Sequence, residues 1–157
     1  MKYLIAMMDD QTRFLIAQEV AEAKYTHDAR HLFQISREAV GKEPKVLITD
    51  GLPAYHEAFQ KEFWTRNNGA QHIKDIHING KVHNNKMERL NGEIRDREKV
   101  MRGLKKPETP IIPGYQIYHN YVRPHEALDG KTLAEACGIE IQGKNKWITL
   151  IQNASRK

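Results

Sequence analysis

Residues 45–59 read KVLITDGLPAYHEAF, and this stretch decides the fold. It opens with a short apolar run, Lys45 to Thr49, which is typical of a β-strand buried on both faces. Asp50 and Gly51 follow as a turn, and Pro53 stands where a helix is expected to begin. A strand, a turn and a helix in this order are the building unit of an α/β fold.

The segments on either side continue this alternation. Apolar and β-prone runs predict strands at Tyr3–Met8, Arg13–Val20 and His72–Ile78. Helical spacing predicts a helix that is capped by Thr26 and ended by Gly41, and a long helix over Asn84–Arg102. The resulting order, β-β-α-β-α-β-α, predicts an α/β domain with a mixed sheet covered by helices.

Three prolines separate the end of the chain from this core. Pro107, Pro110 and Pro113 are expected to break the chain before a C-terminal helical segment around residues 114–122. We therefore assign residues 1–106 to the core, and residues 107–157 to a C-terminal helical extension of the same domain.

Composition excludes several classes of protein. A chain of 157 residues has room for one domain, and 39% hydrophobic residues are enough for it to fold. The longest apolar run, Tyr3–Met8, is far shorter than the roughly 20 residues of a transmembrane helix. The one cysteine, Cys137, excludes an internal disulfide and predicts a reducing cytosol. We expect Cys137, Trp64 and Trp147 to be packing residues.

Positive charge is concentrated in one segment. The net charge is +5, and Lys and Arg outnumber Asp and Glu over residues 81–106. On a helical wheel Arg95, Lys99 and Arg102 share a face with Glu88, beside an apolar stripe. Such a face can hold a phosphodiester backbone. An ordinary solvated helix face is the alternative that the charges leave open.

Two carboxylates stand out by their position. Asp50 follows a strand, at the carboxyl end where open α/β sheets carry their ligands and catalytic groups. Glu88 lies in the first turns of the long basic helix. Carboxylates that meet at such a strand end suit Mg²⁺, which keeps several waters and phosphate oxygens as its other ligands.

Three motifs carry a family resemblance. VLITDGLPAY (46–55), HNNKMERLNGEIRDREKVMRG (83–103) and YHNYVRPHEALDGKT (118–132) occur in this order. They resemble prokaryotic insertion-sequence transposases, which belong to the superfamily of DDE transposases and retroviral integrases. The resemblance implies an RNase H-like (integrase) core and Mg²⁺-dependent DNA cleavage and strand transfer.

The resemblance also implies roles for individual residues. Asp50 and Glu88, with 37 residues between them, match the second and third members of an Asp-Asp-Glu metal-binding triad. The same resemblance implies two Mg²⁺ (or Mn²⁺) ions as cofactors. It implies DNA as the partner, at transposon ends and at the target, and self-association of the protein on that DNA. It also implies a protein of the prokaryotic cytoplasm that associates with the nucleoid. The resemblance places Arg95 at the family's basic position after the Glu, as a contact to DNA phosphate, and we assign Arg89, Lys99 and Arg102 of the same helix to DNA with it.

The first Asp of the triad has no clear counterpart. Family members carry it one strand earlier than the turn that holds Asp9 and Asp10. We therefore expect Met1 to be an internal start, the first core strand to be missing and the chain to be inactive alone. Two alternatives stay open: a non-catalytic DNA-binding remnant, and a complete small nuclease that uses Asp9, Asp50 and Glu88.

Overall fold

The computed structural model describes residues 3–64, 69–74, 84–100 and 109–156, and within it the chain forms two compact units. The first unit consists of Met1–Met8 and Ile16–Thr109. The second consists of Asp9–Leu15 and Pro110–Lys157, so it takes residues from two separate parts of the chain.

The first unit begins with a β-hairpin. Its strands are β1 (Tyr3–Met8) and β2 (Leu15–Ala21), and the segment between them is too short for a parallel crossover. One face of the hairpin is apolar and packs on helix α1 (Thr26–Val40). The buried residues of this layer are Ile5, Ala17, Ala21 and Leu32.

Helix α1 starts and ends close to the predicted positions. Its N-cap is Tyr25 rather than Thr26, because the carboxylate of Asp28 accepts the Tyr25 backbone N–H at 3.0 Å. Gly41 ends the helix as predicted, with φ at 71°, and its backbone N–H donates to the carbonyl of Arg37. Glycine adopts this left-handed conformation without the steric cost that other residues have.

A second, parallel pair of strands follows. Strands β3 (Val46–Ile48) and β4 (Gln71–Ile73) are separated in sequence by helix α2 (Pro53–Glu62), which begins at Pro53 as predicted. The main core lies between α1, α2 and this pair. Its largest buried side chains are Phe33, Leu47, Phe59 and Phe63.

The prediction that β3 is buried on both faces is wrong. Leu47 is buried, whereas Val46 is 45% exposed and Ile48 is half-buried. Because side chains alternate along a strand, only one face of β3 meets the aromatic core.

A buried carboxylate joins α1 to α2. Glu62 is 5% exposed and accepts hydrogen bonds from Arg30 Nε at 2.7 Å and Gln34 Nε2 at 2.9 Å. A buried charge is tolerated only when it is paired and hydrogen-bonded. The two helices are therefore held in register by polar contacts beside the aromatic core.

The described strands form two separate two-stranded sheets, β1–β2 and β3–β4, rather than the single mixed sheet that the sequence predicts. The α/β class is confirmed. Within the described residues, β1 pairs only with β2, and β3 pairs only with β4.

The basic helix α3 (Asn85–Val100) completes the described part of the first unit. Its apolar stripe is short, with Leu90 and Ile94 buried. The rest of the helix is half-buried or exposed, in agreement with the predicted amphipathic pattern.

The second unit is helical apart from its N-terminal segment. Helix α4 (Ile111–Ile117) runs into a π-helical turn at Tyr118–Val122 and, further on, a 3₁₀ turn at Glu126–Leu128. Two helices follow, α5 (Leu133–Ala136) and α6 (Lys146–Ala154). Pro113 lies inside α4, which corrects the prediction that it precedes the helix. A proline in the first helical turn removes no intrahelical hydrogen bond.

Asn120 holds the N-terminal segment of the second unit. Its side chain is 1% exposed and forms two hydrogen bonds with the backbone of Leu15. Asn120 Oδ1 accepts the Leu15 N–H at 2.9 Å, and Asn120 Nδ2 donates to the Leu15 carbonyl at 2.8 Å. The amide thus satisfies the same two backbone groups that a neighbouring strand would satisfy.

Three residues that were expected to pack are instead exposed. Cys137 is exposed, Trp64 is 69% exposed and Trp147 is 38% exposed. Trp64 follows directly on the end of α2, and Trp147 lies in the first turn of α6, whose described residues include none that is buried. Residue type alone overestimated the burial of these three side chains.

Candidate active site

Asp50 lies at the carboxyl end of the parallel strand pair. The backbone N–H of Thr49 donates to the carbonyl of Ile73 at 3.0 Å, which continues the β3–β4 register to the residue before Asp50. The side chain of Asp50 is exposed. This is the edge at which α/β sheets carry ligands, so the structure places Asp50 where the sequence predicts it.

The turn after β3 fixes the backbone on both sides of Asp50. Gly51 has φ at 81°, and a Cβ atom on it would lie 2.9 Å from the backbone carbonyl oxygen of Lys74. Only glycine fits this combination of conformation and close approach. Asp50 Oδ1 accepts the backbone N–H of Leu52 at 3.2 Å, a local turn that engages one carboxylate oxygen. The second oxygen can serve a cation.

The negative charge of Asp50 affects the pKa of a neighbouring phenol, that of Tyr55. Burial and, after it, the negative charge of Asp50 raise the pKa of Tyr55 to about 12. Tyr55 packs against the aromatic core from the first turn of α2. Its hydroxyl therefore stays protonated at neutral pH and does not compete with Asp50 as an anionic ligand.

Glu88 lies in the first turn of α3. The backbone N–H groups of Met87 and Glu88 donate to the carbonyl of Asn84 at 3.0 Å, which sets the start of the helix. Glu88 is exposed, and its carboxylate is stabilised there by the positive end of the helix dipole. That Asp50 and Glu88 converge on one ion remains a prediction.

The predicted cationic residues within the described part of α3 are exposed. Arg89, Arg95 and Lys99 all reach solvent, and Lys99 Nζ lies 3.2 Å from the carboxylate of Asp96. This pair is surface-exposed and salt-screened, so it holds Lys99 only weakly. Arg102 lies outside the described residues.

Asp9 has a structural partner. Its Oδ2 atom accepts both the backbone N–H and the hydroxyl of Thr12 at 2.7 Å. The Asp9 N–H also donates to the carbonyl of Phe14 at 2.9 Å, and Arg13 adopts φ of 63°. Asp9 thus shapes the turn between β1 and β2.

The donors fit a hard cation, although no complete metal centre is formed. In the described ranges, no group of three His, Cys, Asp or Glu side chains is placed to hold a metal ion. Asp50 and Glu88 are exposed carboxylates, the ligand type that Mg²⁺ and Mn²⁺ prefer. Mg²⁺ usually binds through one or two carboxylates, and Asp50 and Glu88 match that ligand preference.

A polar network that the sequence did not predict lies beside the residue preceding Asp50. His72 Nε2 lies 3.0 Å from the hydroxyl of Thr49, and His72 Nδ1 lies 3.3 Å from His56 Nδ1. This network joins β4 to α2, and the sequence alone does not show that these two elements lie side by side. His56 and Gln60, four residues apart on one face of α2, were the available signal.

Comparison with known proteins identifies the family. A family model described as a DDE domain, of the IS240 transposase type, matches residues 1–125. The match covers well over half of the chain, so the protein belongs to the DDE transposases of insertion sequences. No curated protein matches the sequence. No helix in the described parts of the chain is both long and apolar enough to cross a membrane.

Proposed function

We propose that this chain is the catalytic domain of a transposase that cuts DNA and joins the cut strand to a new site. One observation carries the proposal: a chain that matches a DDE domain over residues 1–125 has Asp50 at the carboxyl end of its parallel strand pair. The core is proposed to be RNase H-like, with residues 107–157 as its C-terminal extension.

Asp50 and Glu88 are proposed to be two of the three metal-binding carboxylates. When bound, two Mg²⁺ ions supply an activated water or 3′-hydroxyl and stabilise the charge that develops at phosphorus. Asp50 would help to hold the ions, with Oδ2 as the ligand atom, since Oδ1 accepts the Leu52 N–H. Glu88 would hold the second ion, and the rigid turn at Gly51 would keep Asp50 in place.

The exposed cations of α3 are proposed to bind the DNA backbone. Arg89, Arg95 and Lys99 lie on the same helix as Glu88, so phosphates held by them would pass close to the Glu88 carboxylate. Arg102 is assigned to the same role from the sequence. Contacts of this kind position DNA without reading its sequence. Self-association on paired DNA ends is part of the same proposal.

The third carboxylate is proposed to come from a strand outside the described residues. Within the described residues β1 and β3 each have one paired edge, and a strand between them would join the two sheets into one. A buried backbone group without a partner costs about 1–3 kcal/mol, so such a strand would stabilise the unit substantially. The first Asp of the triad would then lie beside Asp50.

Two other functions compete with this one. A complete nuclease would need Asp9 as a metal ligand, whereas Asp9 Oδ2 is engaged twice by Thr12 in the hairpin turn. A DNA-binding remnant would keep the cations of α3 without catalysis. Neither has an observation of its own in its favour.

Nicking of supercoiled plasmid in Mn²⁺ separates the three functions. Under the proposal, nicking by the 157-residue chain needs Asp50 and Glu88 but not Asp9. Asp50→Asn and Glu88→Gln should abolish that activity while DNA binding persists. Nicking that Asp9→Asn also abolishes would identify the nuclease. A chain that binds DNA but does not nick it would identify the remnant.

A further inference from the structure

His56 and His72 face each other edge to edge. Their Nδ1 atoms are 3.3 Å apart, and their ring centroids are 5.6 Å apart. This is nearly the largest centroid separation that such an Nδ1–Nδ1 distance allows, so each Nδ1 points directly at the other. The ring planes differ by only 15°. The geometry is that of a linear N–H···N hydrogen bond, which requires one donor and one neutral acceptor.

The neighbouring groups set the direction of this hydrogen bond. The Gln60 amide is assigned with Nε2 toward His56 Nε2, at 3.2 Å, and in this assignment Gln60 donates and His56 Nε2 accepts. The His56 proton is then on Nδ1 and is donated to His72 Nδ1. His72 in turn carries its proton on Nε2 and donates it to the hydroxyl oxygen of Thr49 at 3.0 Å. Both imidazoles are neutral in this chain of hydrogen bonds.

Packing of buried side chains fixes the position of this series of hydrogen bonds. The ring of Phe59 stacks on that of His72 with centroids 4.8 Å apart, and Phe59 itself is buried. Thr49, the last member, is 8% exposed. A buried hydroxyl with a fixed donor has one favoured rotamer, which orders the residue that directly precedes Asp50.

We propose that His56 and His72 are positioning residues, which hold Thr49 and through it the carboxylate of Asp50 in one orientation. The Asp50 side chain is oriented by its own hydrogen bond from the Leu52 N–H, and Asp50 directly follows Thr49, whose backbone N–H donates to the Ile73 carbonyl. The claim that this orientation serves metal binding rests on the proposed function. The claim that the histidines orient the carboxylate is independent of that function.

Nitrogen NMR of the imidazoles tests the chain directly. In the 157-residue protein at about pH 7.5, well above the ordinary His pKa of about 6.5, His56 should be the Nδ1–H tautomer and His72 the Nε2–H tautomer. A His72 ring that is protonated on Nδ1, or that exchanges between tautomers, would overturn the proposal.

Amide exchange at Leu52 tests the link to Asp50. Thr49→Val keeps the shape of Thr49 and removes its hydroxyl, and His72→Asn removes the group at Nε2. Both should raise Leu52 exchange about fivefold, the effect of losing roughly one hydrogen bond. His72→Gln keeps a donor near the Nε2 position and should exchange like wild type.

Gln34→Ala is the matched control. It removes a hydrogen bond to Glu62 elsewhere in the same unit and should leave Leu52 exchange unchanged. If Thr49→Val and His72→Asn leave the exchange rate of the Leu52 amide unchanged, the histidines serve only as packing residues.

Mn²⁺ titration separates the positioning role from the proposed function. Wild type that binds no Mn²⁺ while Leu52 depends on His72 contradicts the proposed function alone. Unaltered Leu52 exchange with normal Mn²⁺ binding contradicts the positioning role alone.

Discussion

The backbone carbonyl oxygen of Lys74 lies 2.9 Å from the point at which a Cβ atom would stand on Gly51. The turn that carries Asp50 therefore packs closely against the residue that follows β4. This close packing depends on the absence of a side chain, so it can be tested by adding one methyl group.

Gly51→Ala should destabilise the protein by about 1–3 kcal/mol, because it adds left-handed strain and a clash with a backbone atom. Urea unfolding measures the change. Gly41→Ala is the control, since Gly41 has a similar φ of 71° with open space around it. A loss no larger for Gly51→Ala than for Gly41→Ala would mean that the Lys74 contact is easily relieved.

Gly92→Ala should have opposite effects on stability and DNA binding. Gly92 lies one turn after Glu88, inside α3, and a Cβ atom on it would meet nothing within 4 Å. Alanine should therefore stabilise the helix by about 0.5–1 kcal/mol. If DNA passes over this face, the added methyl should weaken DNA binding. Gly114→Ala, at another open helical glycine, is the control and should leave DNA binding unchanged.

Neutralising the basic face should reduce the salt dependence of DNA binding. Changing Arg95, Lys99 and Arg102 to Gln should lower the slope of log K against log salt by roughly 3 units, about one for each phosphate contact. Fluorescence anisotropy across a salt titration measures it. A matched variant that neutralises Lys24, Lys42 and Lys45, exposed residues outside α3, should change the slope much less. Equal slopes for both variants would favour a solvated face with no DNA contact.

His72 should make stability fall on mild acidification. Burial, then repulsion from the protonated form of His56 and from Lys74, holds the pKa of His72 below its ordinary value. The unfolded chain thus binds this proton more readily, and stability is complete above about pH 6.5 and declines as the pH falls toward the folded pKa. Urea midpoints at about pH 7.5 and 5.5 should differ less in His72→Gln than in wild type. An equal difference in both proteins would exclude His72 as the source.

The sequence predicted the order of elements well where one local signal dominated. Pro53 began α2 and Gly41 ended α1, because each residue fixes the backbone by its own covalent structure. Side-chain burial was harder to predict. Trp64 and Cys137 are exposed, contrary to the prediction. Burial depends on which helices and strands pack together, and one amino-acid sequence does not show which ones do.

The candidate site was predicted only in part. The position of Asp50 could be predicted because Asp-Gly after an apolar run indicates a turn, and therefore the end of the strand. The series of hydrogen bonds from Gln60 to Thr49 could not be predicted. It joins α2, β4 and the end of β3, and more than twenty residues of sequence separate Thr49 from His72. The two separate sheets were not predicted either, because strand pairing is a property of the tertiary fold.

Paramagnetic broadening by Mn²⁺ tests most directly whether Asp50 and Glu88 share a metal site. Substoichiometric Mn²⁺ should broaden the backbone amides of Gly51 and Arg89 in parallel, and Asp50→Asn or Glu88→Gln should suppress both effects together. Mg²⁺ should compete for the same site. Broadening confined to one of the two amides, or unchanged by either substitution, would contradict a shared metal site and with it the assignment of these residues to the catalytic triad.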